Sequence, residues 1–350
     1  MLDRARRARI GAVPAALEPA GPRMTALARL RGWRPGKASI RIAFTLGLVV
    51  LLAFIVDLRS AARLLWSADS AWLGAAYLAL TLQTVVSAAR WRITAARLDH
   101  GFSLLVAVRE YYLAQFLNQT LPGGMVGDAG RAFRARGGAG LVRAGQAVLF
   151  ERMSGQIALV LLAAPGLALS ALLPGGIRWP AVIGTAALVV AGLLVLLPLL
   201  VLGGARAPGA VGRASRDFLD AARFALFDRD IRYRQIVLSL GTALCTLVAF
   251  TCCAVATGTV IGPFAMLTVV PLILLAMIVP LSVAGWGVRE SAAAMLFPVV
   301  GASAEAGLAA SVAFGLVFLS VTLPGGAILL WDMRRRVGPG AASGGNDEVT

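Results

Sequence analysis

The sequence predicts an all-α polytopic membrane protein with about six full spans and two re-entrant helical hairpins, arranged as an inverted repeat. Three observations predict it. The 350 residues are 59% hydrophobic and 14% charged, with a mean hydropathy of +0.81, whereas a soluble domain carries roughly 25% charged residues. Apolar runs recur at lengths near the ~20 residues that a helix needs to cross hydrocarbon. Two further apolar runs end in polar, Pro/Gly-broken sequence at Asn118–Asp128 and Leu281–Gly287. In a bilayer, broken backbone is tolerated only where it is buried in protein or lines a wet cavity.

Taken in order, residues 1–38 are rich in Arg, Pro and Gly and lack the apolar core of a cleavable signal peptide. They are expected to form a flexible basic cytoplasmic tail. Met24 offers a second start, which would make residues 1–23 a start-site artefact. Full spans are expected at 40–57, 71–89, 143–168, 181–202, 235–257 and 307–331, within a transmembrane domain at 39–332. The shorter runs at 103–121 and 264–282 lead into the two breaks and are expected to re-enter. Residues 333–350 end in Gly, Ser, Asn and Asp with little to bury, and are expected to be disordered.

The formal charge of +16 is distributed in a way that argues against a nucleic-acid partner. Basic clusters at Arg4–Arg41, Arg90–Arg109, Arg131–Arg143, Arg206–Arg234 and Arg334–Arg336 share one side of this topology, leaving Arg59, Arg63 and Arg178 opposite. The positive-inside rule then places both termini in the cytoplasm. The same clusters could hold anionic lipid headgroups. Cys245, Cys252 and Cys253 lie in one apolar span, and His100 is the only histidine. Neither set has metal-ligand spacing, and no metal or cofactor is expected. No nucleophile elbow, dinucleotide fingerprint or ATP-binding loop occurs, so an enzyme is not expected.

The candidate chemistry lies in charged and polar groups within the apolar sequence, where each is costly. Glu151 and Arg152 stand eight or nine residues beyond Arg143, about 12 Å along a helix. As neighbours they point about 100° apart, so each needs a partner elsewhere: an arginine for Glu151, and Asp128, Glu110 or an anionic substrate for Arg152. Tyr111, Gln115 and Gln119 recur every four residues beside Glu110 and Asn118 and form one polar face. Asp128 and Arg131 are spaced to pair across one turn. A helix beginning after Gly127 would offer free N–H groups to a phosphate, with Pro122, Gly123 and Gly124 shaping the turn. The second break carries Trp286, Gly287, Arg289 and Glu290, with Arg289 a candidate for a phosphate from the other leaflet. For each group the competing reading is structural: buried ion pairs that clamp helices, inter-helix hydrogen bonds, or interface anchoring by Trp286.

The two breaks echo one another at an offset of 160 residues. Leu121 aligns with Leu281 and Gly127 with Gly287, while Pro122 and Pro280 differ by one position in register. Three spans lie between them, so the second unit would be inverted. Inverted repeats with discontinuous helices are a common transporter plan.

Three ordered motifs then resemble a known family. They are Phe116-Leu117-Asn118-Gln119-Thr120-Leu121-Pro122-Gly123-Gly124-Met125-Val126-Gly127-Asp128-Ala129-Gly130-Arg131, Phe150-Glu151-Arg152, and Val279-Pro280-Leu281-Ser282-Val283-Ala284-Gly285-Trp286-Gly287-Val288-Arg289-Glu290. Together they are similar to the signatures of the lysylphosphatidylglycerol synthase transmembrane-region family over about residues 40–332. The resemblance implies a flippase-like domain. In the multiple peptide resistance factor such a domain moves aminoacylated phosphatidylglycerol between leaflets, and a separate soluble domain attaches the amino acid. The present chain is expected to be a stand-alone member without that soluble domain.

The expected function is translocation of a phospholipid or related polar-headgroup lipid across a bacterial inner membrane, with membrane lipids as the partners. Arg131, Arg152 and Arg289 are expected to bind phosphate. Glu110, Asp128 and Glu151 are expected to orient those arginines or to meet a cationic headgroup. The alternatives are a membrane-embedded enzyme using a lipid-linked donor, with Glu151 or Asp128 as general base, and an accessory subunit of envelope-lipid assembly.

Overall fold

The computed structural model describes residues 43, 45–47, 50–54, 56–121, 124–137, 140–172, 192, 196, 199–278 and 285–337. These residues are helical, with no strand among them. An apolar helical stretch at Thr45–Phe54 precedes α1 (Leu58–Trp66), whose N-cap Asp57 accepts from the Arg59 and Ser60 N–H groups. Helix α2 (Ser70–Ala96) is capped by Asp69, and α3 (Leu104–Thr120) by Ser103. After the first break come α4 (Val126–Arg134) and α5 (Gly140–Leu172).

Helix α6 (Gly209–Ala222) runs into a π-helical turn at Arg223–Phe227, followed by α7 (Arg232–Ala256). Helix α8 (Pro263–Leu275) starts with proline at its first position, where the missing N–H would have no partner anyway. The second break leads to α9 (Val288–Leu296), and α10 (Ala304–Val337) continues past the expected boundary at residue 332.

Among the described residues four helices are long and apolar enough to cross a membrane: Ser70–Ala96, Gly140–Leu169, Arg232–Ala256 and Ala304–Arg335. They coincide with the expected spans at 71–89, 143–168, 235–257 and 307–331. The expected span at 181–202, both tails, Pro122, Gly123 and residues 279–284 lie wholly or largely outside the described residues, and the expected span at 40–57 is described in part, as the shorter apolar helical stretch Thr45–Phe54.

The element lengths repeat. Helices α2, α3, α4 and α5 have 27, 17, 9 and 33 residues, and α7, α8, α9 and α10 have 25, 13, 9 and 34. Packing repeats with them. The counterparts α2 and α7 lie against each other, α3 packs on α10 as α8 packs on α5, and each short helix packs on the long one that follows it.

Small residues set the close approaches, as expected where packing rather than hydrophobic transfer drives association in lipid. A Cβ on Gly166 of α5 would overlap Thr268 of α8. One on Gly325 of α10 would overlap the Tyr112 carbonyl of α3. Among the described residues three apolar clusters fill the interior, the smallest around Leu52, Val56 and Leu308. One gathers Leu247, Phe250, Ile273, Phe297 and Phe314. Another joins Trp91, Leu98 and Phe150 to Phe218 and Leu226 of the α6 region.

Candidate functional site

The first break folds α4 back along α3. At 17 residues α3 is about 25 Å long, short of a hydrocarbon core about 30 Å thick. Near its end, Asn118 donates through Nδ2 to Asp128 Oδ2 at 3.0 Å and accepts through Oδ1 from the Gly127 N–H at 2.8 Å. Two turns earlier on α3, Glu110 accepts from Arg134 Nε at 2.5 Å. Contacts that pair early α4 with late α3, and late α4 with earlier α3, make the two helices antiparallel. Gly127 lets them close, because a Cβ there would overlap the Ala114 carbonyl oxygen.

One expectation is corrected by this geometry. Helix α4 begins at Val126 rather than after Gly127, and the Gly127 N–H is already held by Asn118. One of the N–H groups expected to meet a phosphate is therefore taken by a carboxamide, with the Asp128 carboxylate beside it.

The site is instead built from side-chain charges that alternate in sign. Arg90 Nη2 of α2 donates to Glu151 Oε1 of α5 at 2.5 Å. Glu151 Oε2 accepts from Arg131 Nη2 of α4 at 3.1 Å, and the same Nη2 reaches Asp128 Oδ1 at 3.0 Å. Asp128 Oδ2 pairs with Arg152 Nη2 of α5. Tyr111 donates its hydroxyl to Glu151 Oε1 at 3.2 Å. The Arg131 guanidinium is stacked between the rings of Trp91 and Tyr111, 4.5 and 4.6 Å from their centroids.

Three guanidiniums against two carboxylates leave one positive charge. Four members of the chain are buried, whereas 43% of the Arg152 side chain is exposed. The excess charge thus has its outlet at Arg152. Both partners expected for Glu151 and Arg152 are found: arginines for the first and Asp128 for the second.

Arg90 was not among the expected site residues. Its place in the run Arg90, Arg92, Arg97 suggested a topology-setting loop flank, but α2 continues to Ala96 and holds Arg90 inside. A polar stripe marks that face: Thr84, Ser87, Arg90 and Thr94 are all buried and recur every three or four residues.

The polar face of α3 is used piecemeal. Gln115 accepts from Thr84 at 3.1 Å, while Gln119 is half-buried near the break, beside Gly124 at φ +61°. Glu110 also accepts from Arg109 at 2.7 Å, and Arg109 bridges to Asp332 of α10 at 2.5 Å. This second cluster is charge-balanced, and it ties α3 to both α4 and α10.

At the second break, Arg289 is buried and donates to Glu290 Oε1 at 2.6 Å and to Ser311 Oγ at 2.9 Å. Its guanidinium lies 5.2 Å from the Trp286 ring centroid and 5.3 Å from that of Phe314. Glu290 Oε2 accepts from the Gly287 N–H at 2.7 Å, with Gly287 at φ +85°. Arg289 and Glu290 therefore balance each other locally. The cysteines are free thiols on α7, and among the described residues no group of His, Cys, Asp and Glu is arranged to hold a metal.

These features define a multi-pass helical membrane protein whose helix lengths and packing order recur, with a buried arginine–carboxylate chain at its first break. The chain belongs to the family described as the lysylphosphatidylglycerol synthase TM region, whose family model matches residues 38–325. No curated protein and no solved structure matches it.

Proposed function

We propose that the protein is a flippase-like lipid translocator of a bacterial inner membrane, with both termini cytoplasmic, which moves a phospholipid or related polar-headgroup lipid between leaflets. The observation that carries this reading is the alternating chain from Arg90 to Arg152, buried along its length and half-exposed only at its Arg152 end. Buried charges of this kind are a weak source of stability, and within a membrane they mark substrate pathways. Family membership supports a membrane-lipid role.

In this reading α3–α4 and α8–α9 are re-entrant hairpins of an inverted repeat and face opposite leaflets. Arg152 meets the headgroup phosphate first, and Arg131 lies behind it. Asp128 and Glu151 keep the two arginines oriented and apart. Arg289, balanced by Glu290, forms the neutral wall of the other half, while Glu110 fastens α4 through Arg134. Both central carboxylates are committed to arginines, which makes them poor general bases and favours translocation over a lipid-modifying enzyme.

The test is purified protein in liposomes carrying fluorescently labelled phospholipids, with leaflet exposure followed by a membrane-impermeant quencher. The expected outcome is accelerated exchange that Arg152→Ala slows at least about tenfold, the loss of one charge-assisted contact. No acceleration across a panel of anionic, zwitterionic and aminoacylated lipids would defeat the reading. Covalent change of the lipid in the same vesicles would favour the enzyme.

A further inference from the structure

Arg90 stands at the buried end of the chain, away from the half-exposed Arg152. It is 3% exposed and gives only Nη2 to Glu151; its Nε and Nη1 have no acceptor among the described residues. Arg131 is 1% exposed, and its Nε and Nη1 are likewise without acceptors. So is Nε1 of Trp91, the indole on which Arg131 stacks. The two guanidiniums meet at a carboxylate that is already occupied: Glu151 Oε1 accepts from Arg90 and Tyr111, and Oε2 accepts from Arg131. Gly155, one turn beyond Glu151, brings the Arg90 guanidinium directly onto α5. A Cβ there would stand 3.1 Å from Nη2 and 3.3 Å from Nη1.

Buried N–H groups without acceptors are costly, the more so on a cation. Trapped water would supply acceptors but leave the extra positive charge of the chain in place. An oxyanion supplies acceptors and the missing negative charge together, through the short charge-assisted bonds that guanidinium groups favour.

We propose that Arg90 and Arg131, with Trp91 Nε1, form an inner position for a phosphodiester anion, reached from an outer position at Arg152. The proposal rests on the translocator reading and deepens it: the phosphate is handed from a half-exposed arginine to two buried ones. Asp128 remains paired with Arg131 and hydrogen-bonded by Asn118 when Arg152 turns to the phosphate. Glu151 keeps Arg90 and Arg131 from collapsing onto Asp128. The outer position governs the rate of capture and the inner position governs affinity. The same donors fit inorganic phosphate, and the experiment separates the two sources.

Purified full-length protein in detergent is titrated with dihexanoyl phosphatidylglycerol and, separately, with inorganic phosphate, and lipid exchange is measured in phosphatidylglycerol-containing liposomes. Arg90→Lys keeps a positive charge facing Glu151 but removes the planar fork. It is expected to weaken lipid binding about tenfold and to slow exchange in proportion. Arg152→Ala is expected to slow the onset of binding more than it lowers affinity. Wild-type affinity in Arg90→Lys overturns the inner position, as does binding of inorganic phosphate without binding of the lipid.

Should Arg90→Lys fail to give a monodisperse protein, Gly155→Ala replaces it. The added methyl group shifts the Arg90 guanidinium without changing any charge. Weaker lipid binding in that variant supports the inner position, and unchanged affinity overturns it. Lipid binding that depends on Arg90, in a wild-type protein that moves no lipid, defeats the translocator reading alone. Wild-type exchange that Arg90→Lys leaves unchanged in rate and affinity defeats the inner position alone.

Discussion

Gly155 on α5 and Gly315 on α10 stand 160 positions apart, and each takes an arginine guanidinium against its bare Cα: Arg90 at Gly155 and Arg289 at Gly315. The offset is the one that relates the two breaks. It also aligns Glu151, which accepts from Arg90, with Ser311, which accepts from Arg289. The two halves thus share a way of holding a buried arginine and differ in its counter-charge. In the first half the carboxylate lies one turn before the glycine and is shared with Arg131. In the second it is Glu290, next to the arginine itself. The first arrangement leaves an excess positive charge and the second leaves none.

The two glycines should not tolerate a methyl group equally. At Gly315 a Cβ would run into Arg289 and stand 2.7 Å from the Trp286 ring, whereas at Gly155 it meets only the end of the Arg90 side chain. Overpacking of a rigid site costs about 1–3 kcal/mol. Gly315→Ala is expected to fall in that range and Gly155→Ala below it, measured as thermal unfolding in detergent. Equal melting temperatures would show that Trp286 and Arg289 give way freely.

A methyl group at Gly127 meets backbone instead of a movable side chain. The Ala114 carbonyl that it would strike belongs to α3, so α3 and α4 must separate, straining the hydrogen bonds that Asn118 accepts from the Gly127 N–H and donates to Asp128. Gly127→Ala is expected to lower stability by more than about 2 kcal/mol and to abolish lipid exchange. Gly124→Ala is the control. Its site is open, and the expected cost is only the ~1–2 kcal/mol of a left-handed backbone. If the two variants melted alike, the close approach at Ala114 would not hold the hairpin.

Asp57 gives a prediction in pH. Its exposed carboxyl is held below the usual carboxylate range, first by the Ser60 hydroxyl and then by the Ser60 and Arg59 N–H groups. A depressed carboxylate stabilises the folded helix end above its unfolded pKa, and that contribution is lost as the pH falls through the folded value. Amide hydrogen exchange at Arg59 and Ser60 should therefore gain protection from the cap at neutral pH and lose it in acid. In Asp57→Asn the same amides should show no such acid step once intrinsic exchange is corrected. An unchanged step in the variant would assign it to another group.

Much of the first site was legible because its residues obey short-range rules. Asp128 and Arg131 are three apart on a helix, and Glu151 and Arg152, as neighbours, must look outward for partners. Arg90 was hidden because an arginine near the end of an apolar run looks the same whether the helix stops there or continues. The buried stripe of Thr84, Ser87 and Thr94 was the available signal. That the Gly127 N–H is taken could not be read for a different reason. Asn118 lies nine residues away in sequence, and only the fold-back of α4 brings its carboxamide to that N–H. The echo between the two breaks was weak in residue identity and is plainer in helix lengths, because packing constrains a helix's length and place more tightly than its side chains.

Glu151 is the residue on which the chain of charges depends, and its neutral isostere should be the most damaging single change. Glu151→Gln would leave Arg90 and Arg131 buried, with Asp128 alone facing three guanidiniums. Removing one partner of a buried pair costs about 3–5 kcal/mol, because the remaining charge is uncompensated. The double variant Glu151→Gln with Arg90→Gln removes one charge of each sign and should recover at least about 1 kcal/mol relative to the sum of the singles, as contacting residues do. Asp332→Asn provides the scale. Its pair with Arg109 is partly exposed, and such pairs are worth at most about 1 kcal/mol. Thermal unfolding of the four variants in detergent should rank Glu151→Gln lowest, with the double variant above it and Asp332→Asn near wild type. A Glu151→Gln protein that melted with the wild type would mean that the buried arginines find their counter-charge elsewhere, and the alternating chain would then not be what holds Arg90 in place.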